Sequence, residues 1–139
     1  MRETCRVTSR ELMTDYLAAA QRGDWDTAFG YFAEDIVIRI PGQSSFAGEH
    51  RGKETAVRYI QAIHDHYPDG KIEIELIDML ASEERVALLV RERFRGDGAT
   101  VEIRRANVYR VQGDAITEIS IFEADQYAAD ALAHEVQPG

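Results

Sequence analysis

The feature that most constrains this chain is a change of hydrophobic period near its middle. Up to about residue 67 the apolar side chains recur every three or four positions, whereas from Lys71 onward they alternate, as Ile72, Ile74 and Leu76 do with Glu73 and Glu75. Successive strand side chains point to opposite faces, so such alternation marks half-buried strand. Two turns divide the alternating half of the chain. Gly96-Asp97-Gly98 joins a strand over 85–95 to one over 100–111, and Gln112-Gly113-Asp114 leads into a strand carrying Ile116, Ile119 and Ile121. Glycines there supply the positive φ that tight hairpins need. A short helix over 125–134 comes last, ending before Pro138.

The front half is helical. Ser9 is placed to cap a helix over 9–22 with Leu12, Tyr16, Leu17 and Ala20 on one stripe. Gly23 ends it, and Asp24 caps a short second helix carrying Trp25, Ala28, Phe29 and Phe32. The β-branched run over 36–40 is a first strand halted by Pro41 and Gly42, and the Gly- and Ser-rich stretch 43–52 reads as loop. A third helix over 53–66 carries Ala56, Tyr59, Ile60 and Ile63 on its apolar stripe, with Tyr67 just beyond. Three helices ahead of four long antiparallel strands predict an α+β fold: one domain over 1–139, its core at about 9–132, with a strongly curved, mainly antiparallel sheet packed on the helices.

A chain of 139 residues, 45% of them hydrophobic, buries roughly 70% of its unfolded surface and needs no metal or disulfide staple. Cys5 is the single cysteine and cannot form an intramolecular disulfide, which fits a reducing compartment. The N-terminal stretch has no apolar signal core, and no apolar run is long enough to cross a bilayer, so a cytoplasmic protein without a membrane partner is expected. Sixteen basic residues against 25 acidic ones give a formal charge of −9, which repels phosphate backbones. The arginines Arg91, Arg93, Arg95, Arg104 and Arg105 are interleaved with Glu92, Asp97 and Glu102, so no nucleic-acid partner is expected. His64 and His66 flank Asp65, but helix residues two apart do not face together, and no metal site is expected. His50, in the loop, reads as a surface histidine, with a general base as the alternative.

Three runs carry a resemblance: Tyr16-Leu-Ala-Ala-Ala-Gln-Arg-Gly-Asp-Trp-Asp, Phe32-Ala-Glu-Asp-Ile-Val-Ile-Arg-Ile-Pro-Gly and Ala47-Gly-Glu-His-Arg-Gly-Lys-Glu-Thr-Ala-Val. With the last two hairpins and the Asp125-Gln-Tyr-Ala-Ala-Asp tail, the chain from about Ser9 to Leu132 resembles the nuclear transport factor 2-like superfamily, in its SnoaL-like branch. The resemblance implies a cone-shaped α+β barrel around a deep apolar pocket that takes a small hydrophobic molecule. It also implies a homodimer through the sheet's outer face, where parity puts Leu89, Ala106 and Val108.

Ketosteroid isomerases of this superfamily use a carboxylate base at the end of the first strand and two hydrogen-bond donors to the developing oxyanion. By register Tyr16 matches the donor tyrosine and Asn107 the donor aspartic acid, and an amide donates at any pH. The base position, just before Pro41, is Ile40, which cannot take a proton. Strand parity supplies a substitute, because Glu123 shares a face with Ile119 and Ile121. Epoxide hydrolases of the fold set an arginine between two acids; Arg105 and Asn107 match the spacing, with Glu123 as the other acid, but Asn107 leaves the proton donor missing. SnoaL-like cyclases place an acid near the sheet's end, where Glu123 or Asp125 falls.

These matches lead to an expected cofactor-independent enzyme on a small hydrophobic carbonyl compound, of isomerase or polyketide-cyclase type. Tyr16 and Asn107 would polarise the carbonyl and Glu123 would move the proton. Ile40, Tyr59, Phe94, Arg105, Ile119 and Ile121 would line the pocket. The alternatives are a non-catalytic binding or dimerisation module, which the missing base at Ile40 favours, and a limonene-epoxide hydrolase-like enzyme. As plain structure, Tyr16 is a core tyrosine and Arg105 with Glu92 a cross-strand ion pair.

Overall fold

The computed structural model of the protein describes residues 7–135 apart from Asp69 and Asp97, so Cys5 lies outside the described residues. The elements run α1 (Ser9–Gln21), α2 (Trp25–Phe29), β1 (Phe32–Ile40), β2 (Gly48–Arg51), α3 (Lys53–His66), β3 (Ile72–Ala81), β4 (Arg85–Gly96), β5 (Ala99–Gln112), β6 (Ala115–Glu123) and α4 (Gln126–Glu135). One curved, unclosed sheet takes all six strands in the order β2-β1-β6-β5-β4-β3. The expected α+β cone is present.

The local corrections have physical causes. Thr8 caps α1, because its hydroxyl accepts from the Glu11 amide while the Glu11 carboxylate accepts from the Thr8 amide. Ser9 is thereby inside the helix, and its hydroxyl donates to the Ser82 carbonyl at 2.6 Å. Asp24 caps α2 as expected, accepting from the Thr27 amide. Phe32 belongs to β1 and not to α2, since pairing with β6 begins there, opposite Ile116. The expected loop over 43–52 contains β2, which pairs antiparallel with β1 from Val37↔Arg51 to Ile40↔Gly48. β1 and β6 run parallel, at the one parallel pairing of the sheet.

Long registers place the inner face. β4 and β5 pair antiparallel from Arg85↔Arg110 to Gly96↔Ala99. β5 and β6 pair from Arg105↔Glu123 to Gln112↔Ala115, with Gly113 at φ +65° in their hairpin. The inner faces carry Val86, Leu88 and Val90 from β4, Tyr109 and Val111 from β5, and Ile116 and Ile119 from β6. These pack on Leu12, Met13, Tyr16 and Ala19 of α1 and on Ala56 of α3, all buried. A second buried cluster, Phe46, Tyr67, Phe94, Ile103 and Leu132, forms where α4 folds back over the end of the sheet. Among the described residues no helix is long and apolar enough to cross a membrane.

Leu88 is 1% exposed at the centre of the inner face and Tyr127 is 91% exposed. Urea denaturation should therefore show Leu88→Ala losing about 2–5 kcal/mol, and Tyr127→Ala changing stability by less than about 0.5 kcal/mol.

Candidate active site

The alternation of β4 places Val86, Leu88, Val90, Glu92 and Phe94 on one face, and one of the five is charged. β5 brings Ile103, Arg105, Asn107 and Tyr109 to the same face, and β6 brings Ile119, Ile121 and Glu123. Register sets Arg105 directly opposite Glu123, and Glu92, opposite Ile103, one step along the diagonal from Arg105. The Arg105 guanidinium donates to Glu123 through two nitrogens, Nε to Oε1 at 3.1 Å and Nη2 to Oε2 at 2.8 Å. Its Nη1 lies 3.5 Å from Glu92 Oε2. The three side chains are 13%, 5% and 11% exposed, so this carboxylate–guanidinium–carboxylate bridge sits inside the cone. A planar fork suits paired carboxylate oxygens, which is why arginine rather than lysine fills such a position.

Arg105 and Glu123 form one wall of a cavity of about 510 Å³, its open mouth included. Ile40 and Pro41 line it from the end of β1, Ser44 and Phe46 from the following loop, and Tyr59, Ile63 and Tyr67 from α3 and its end. Phe94 contributes from β4, and Gln126, Ala129, Asp130, Leu132 and Ala133 from α4. Polar contacts hold α4 over the opening: Gln126 Nε2 donates to the Pro41 carbonyl at 3.4 Å and to Asp130 Oδ1 at 3.1 Å. The Gln43 amide donates to both Asp130 oxygens at 3.3 Å. Gly42 makes this approach possible, because a Cβ there would collide with Asp130 and Gln126, and its φ of +98° suits glycine alone.

Burial dominates the electrostatics. It raises the Glu123 carboxyl above its ordinary value; Arg105 opposes the rise in part, and the neighbouring Glu92 and Asp130 charges add to it. Burial works against the Arg105 charge, but Glu92 and Glu123 together hold the guanidinium even more firmly protonated than usual. The Tyr59 phenol is pushed up to about 12 by burial. It is therefore a proton-bearing donor at physiological pH, within the field of Arg105, Glu92 and Glu123.

Five of the sequence-derived residues meet at this cavity: Ile40, Tyr59, Phe94, Arg105 and Glu123. Tyr16, Asn107, Ile119 and Ile121 do not line it. Tyr16 is 6% exposed among core side chains, its ring 5.9 Å from both Phe32 and Tyr109. Asn107 lies one pleat deeper than Arg105, within hydrogen-bonding reach of the Tyr109 hydroxyl, and its buried Oδ1 has no hydrogen-bond partner. Ile119 belongs to the core and Ile121 packs against it. Around Tyr16, the rings of Phe32 and Tyr109 and the side chains of Leu12, Met13 and Leu88 pack to contact in the buried core, and the cavity described above lies toward the Ile40, Phe94 and Glu123 end of the inner face.

His50 stands on β2 rather than in a loop, with its Nε2 bonded to the Phe46 carbonyl at 2.5 Å and its ring stacked 5.9 Å from Tyr59. His64 lies tilted against Trp25, ring centroids 4.5 Å apart, and His66 sits edge-on to Tyr67, so the two rings serve different neighbours. Asp125 is exposed and accepts from the Ala128 amide, which makes it the first-turn cap of α4. Glu92 is legible as a site residue from the one charge breaking the Val86, Leu88, Val90, Phe94 series. Phe46, Gln126 and Asp130 carry no such signal, because a loop and a returning helix bring them in.

An α+β cone whose inner face carries a buried ion bridge beside a cavity defines a small-molecule-binding class of fold. A model of the SnoaL-like domain matches residues 13–119, and the chain belongs to that family. Its fold is shared with a cystatin-like-fold protein of unknown function from Xanthomonas campestris, 25% identical over 91% of this chain and 98% of that one, with a TM-score of 0.82. Bal32a, from a soil-derived mobile gene cassette, is 23% identical over 89% and 95% of the two chains, with a TM-score of 0.81. An NTF2-like protein from Burkholderia xenovorans is 26% identical over 92% and 93%, with a TM-score of 0.64. No curated protein matches the chain significantly. SnoaL-like and NTF2-like membership supports small-molecule binding or isomerase-type chemistry.

Because its folded-state value is raised, Glu123 holds its proton more tightly in the folded protein than in the unfolded chain. The stability that its neutral form contributes is complete below pH 4.5 and is lost as pH rises through the folded value. Carbon-13 NMR should find the Glu123 carboxyl titrating above 4.5, and Glu49 and Glu118, which accept from Arg39, titrating below it. A Glu123 midpoint below 4.5 would contradict this electrostatic description.

Proposed function

We propose that the protein is an acid/base enzyme that works without a cofactor on a small, mostly apolar carbonyl compound, with isomerase- or cyclase-type chemistry and Glu123 as the proton carrier. One observation carries the proposal: a carboxyl of raised pKa, oriented by a two-nitrogen arginine fork, forms the wall of an aromatic-lined cavity. Arg105 occupies one lone pair on each Glu123 oxygen and leaves others free. A ligand C–H beside the carbonyl gives its proton to Glu123, the bonding pair passes into the enolate, and the carbonyl oxygen takes the charge. Tyr59, which lines the cavity and keeps its proton, donates to that oxygen in this scheme. Tyr16 and Asn107 fill the same role only for a ligand that reaches past Ile121. Return of the proton to a different carbon is isomerisation; attack of the enolate carbon on a second carbonyl is ring closure.

A second reading has its own support. Glu92 supplies the additional acid that Asn107 cannot, so Glu92, Arg105 and Glu123 form an acid–arginine–acid set suited to opening an epoxide with water. Glu123, the carboxyl of the set that lines the cavity, takes the proton of the attacking water, and the opened ring oxygen takes its proton from solvent.

The test is incubation in deuterium oxide with enolisable cyclic ketones, alongside the matching epoxides in oxygen-18 water. The proposal expects deuterium in recovered ketone, reduced about a hundredfold or more by Glu123→Gln, with calorimetric ligand affinity retained in that variant. Labelled diol without exchange selects epoxide hydrolysis. Ligands that bind and undergo neither reaction make the protein a binding module.

We also propose a homodimer through the outer sheet face, in a cytoplasmic protein. Leu80 and Phe122 are 55% and 58% exposed there, and Leu89, Ala106 and Val108 continue the patch. Sedimentation equilibrium at micromolar concentration should give twice 15.7 kDa, and Phe122→Lys should return the monomer.

A further inference from the structure

The cavity has an unusual charge balance for one that takes a hydrophobic ligand. Glu123 and Asp130 line it and Glu92 stands behind Arg105, so three carboxylates meet one guanidinium among the described residues. Arg105 is engaged by two of them. Asp130 lines the cavity from α4, where it accepts from neutral donors, Gln126 Nε2 and the Gln43 amide. Glu92, on the same sheet face, and Asp130, on α4, both disfavour the charge on Glu123. The walls between them are aromatic. Phe46 meets Tyr59 edge-on at 5.2 Å and Tyr67 meets Phe94 at 5.3 Å, and all four rings line the cavity.

Excess negative charge within aromatic walls matches one class of occupant. The face of an aromatic ring attracts a cation, more so where water is displaced, and a half-buried carboxylate adds a direct partner. An anionic ligand meets the opposite field, because the one guanidinium in the cavity is already doubly paired. We infer that the ligand carries a protonated amine on an apolar frame, with its ammonium group between Asp130 and the aromatic walls and its reacting carbon toward Glu123. This inference rests on the proposed function for the location of the site and adds the charge of the substrate. It also gives Asp130 a role in selecting the substrate, apart from the proton transfer assigned to Glu123.

The experiment uses the whole chain and three probes of one shape: 1-adamantylamine, 1-adamantanol and 1-adamantanecarboxylate, titrated by calorimetry at neutral pH and low salt. The amine is expected to bind about tenfold more tightly than the alcohol, and the carboxylate more weakly than either. Asp130→Asn should remove most of the amine's advantage over the alcohol, both measured on that same variant. On the unaltered protein, added salt should weaken the amine and not the alcohol, a readout that stands even if the variant misfolds. Amine and alcohol of equal affinity would overturn the inference while leaving the cavity, and the proposed function, in place. Amine binding that ignores Asp130→Asn would also overturn it, as attraction to a surface of net charge −9. Failure of all three probes to bind would remove the ligand site on which both proposals stand.

Discussion

A guanidinium inside an apolar cone is unstable unless anions meet it there, and an anion inside is equally unstable without the guanidinium. Removing one member of a buried pair costs about 3–5 kcal/mol, because the other charge is left without a partner. Glu92, Arg105 and Glu123 are therefore tied to one another, and through them so are the registers of β4, β5 and β6. A slip of one residue in any of these strands would turn its charged member to the outer face and leave the rest unpaired inside. The same three strands contribute most of the buried apolar core, so core packing and the ion bridge specify a single alignment.

That bridge also divides the cone. Deeper than Arg105, apolar and phenolic side chains close the space around Tyr16, Phe32 and Tyr109. Toward the mouth, the space left open is bounded by aromatic rings and roofed by α4. The roof depends on a small set of polar contacts that Gly42 admits by lacking a side chain. The buried side chains of Ala129 and Leu132 hold it as well, Leu132 within the cluster that includes Phe46, Tyr67, Phe94 and Ile103.

Much of the architecture is readable from hydrophobic period alone. The 3.6-residue stripe over α1 and α3 and the two-residue alternation over β4 to β6 are long, and in long elements burial of one face overrides local preference. β3, whose alternation reads as half-buried, has no buried residue, because it is the edge strand and a bulge between Leu76 and Asp78 breaks its parity, leaving Ile74 45% and Leu76 40% exposed. β2 is four residues in a Gly- and Ser-rich stretch with no buried residue, so nothing local marks it as strand. Its pairing comes from the free edge of β1. The spacing of Phe32 from Phe29 is that of a helix, and only the pairing of β1 with β6 moves it to a strand. The inward aim of Arg105 and Glu123 follows from parity, and the role of Glu92 is present in the same parity as a lone charge in an apolar series.

By itself, the order of residues determined which face of β4, β5 and β6 is buried, where the turns fall, and that a buried positive charge faces a buried negative one. These are local properties, set by side-chain alternation and glycine conformation. Tertiary structure alone decided which parts of the inner face stay open to a ligand. It packed Tyr16 and Asn107 away from the cavity, added the Glu123 fork to the Arg105–Glu92 pair already legible in sequence, and carried Asp130 and Gln126 back over the mouth from the far end of the chain. The reason is that free volume belongs to no residue. It is what remains after helices and sheet have packed to contact, and contacts between residues 87 positions apart, such as Gln43 with Asp130, have no periodic trace in sequence.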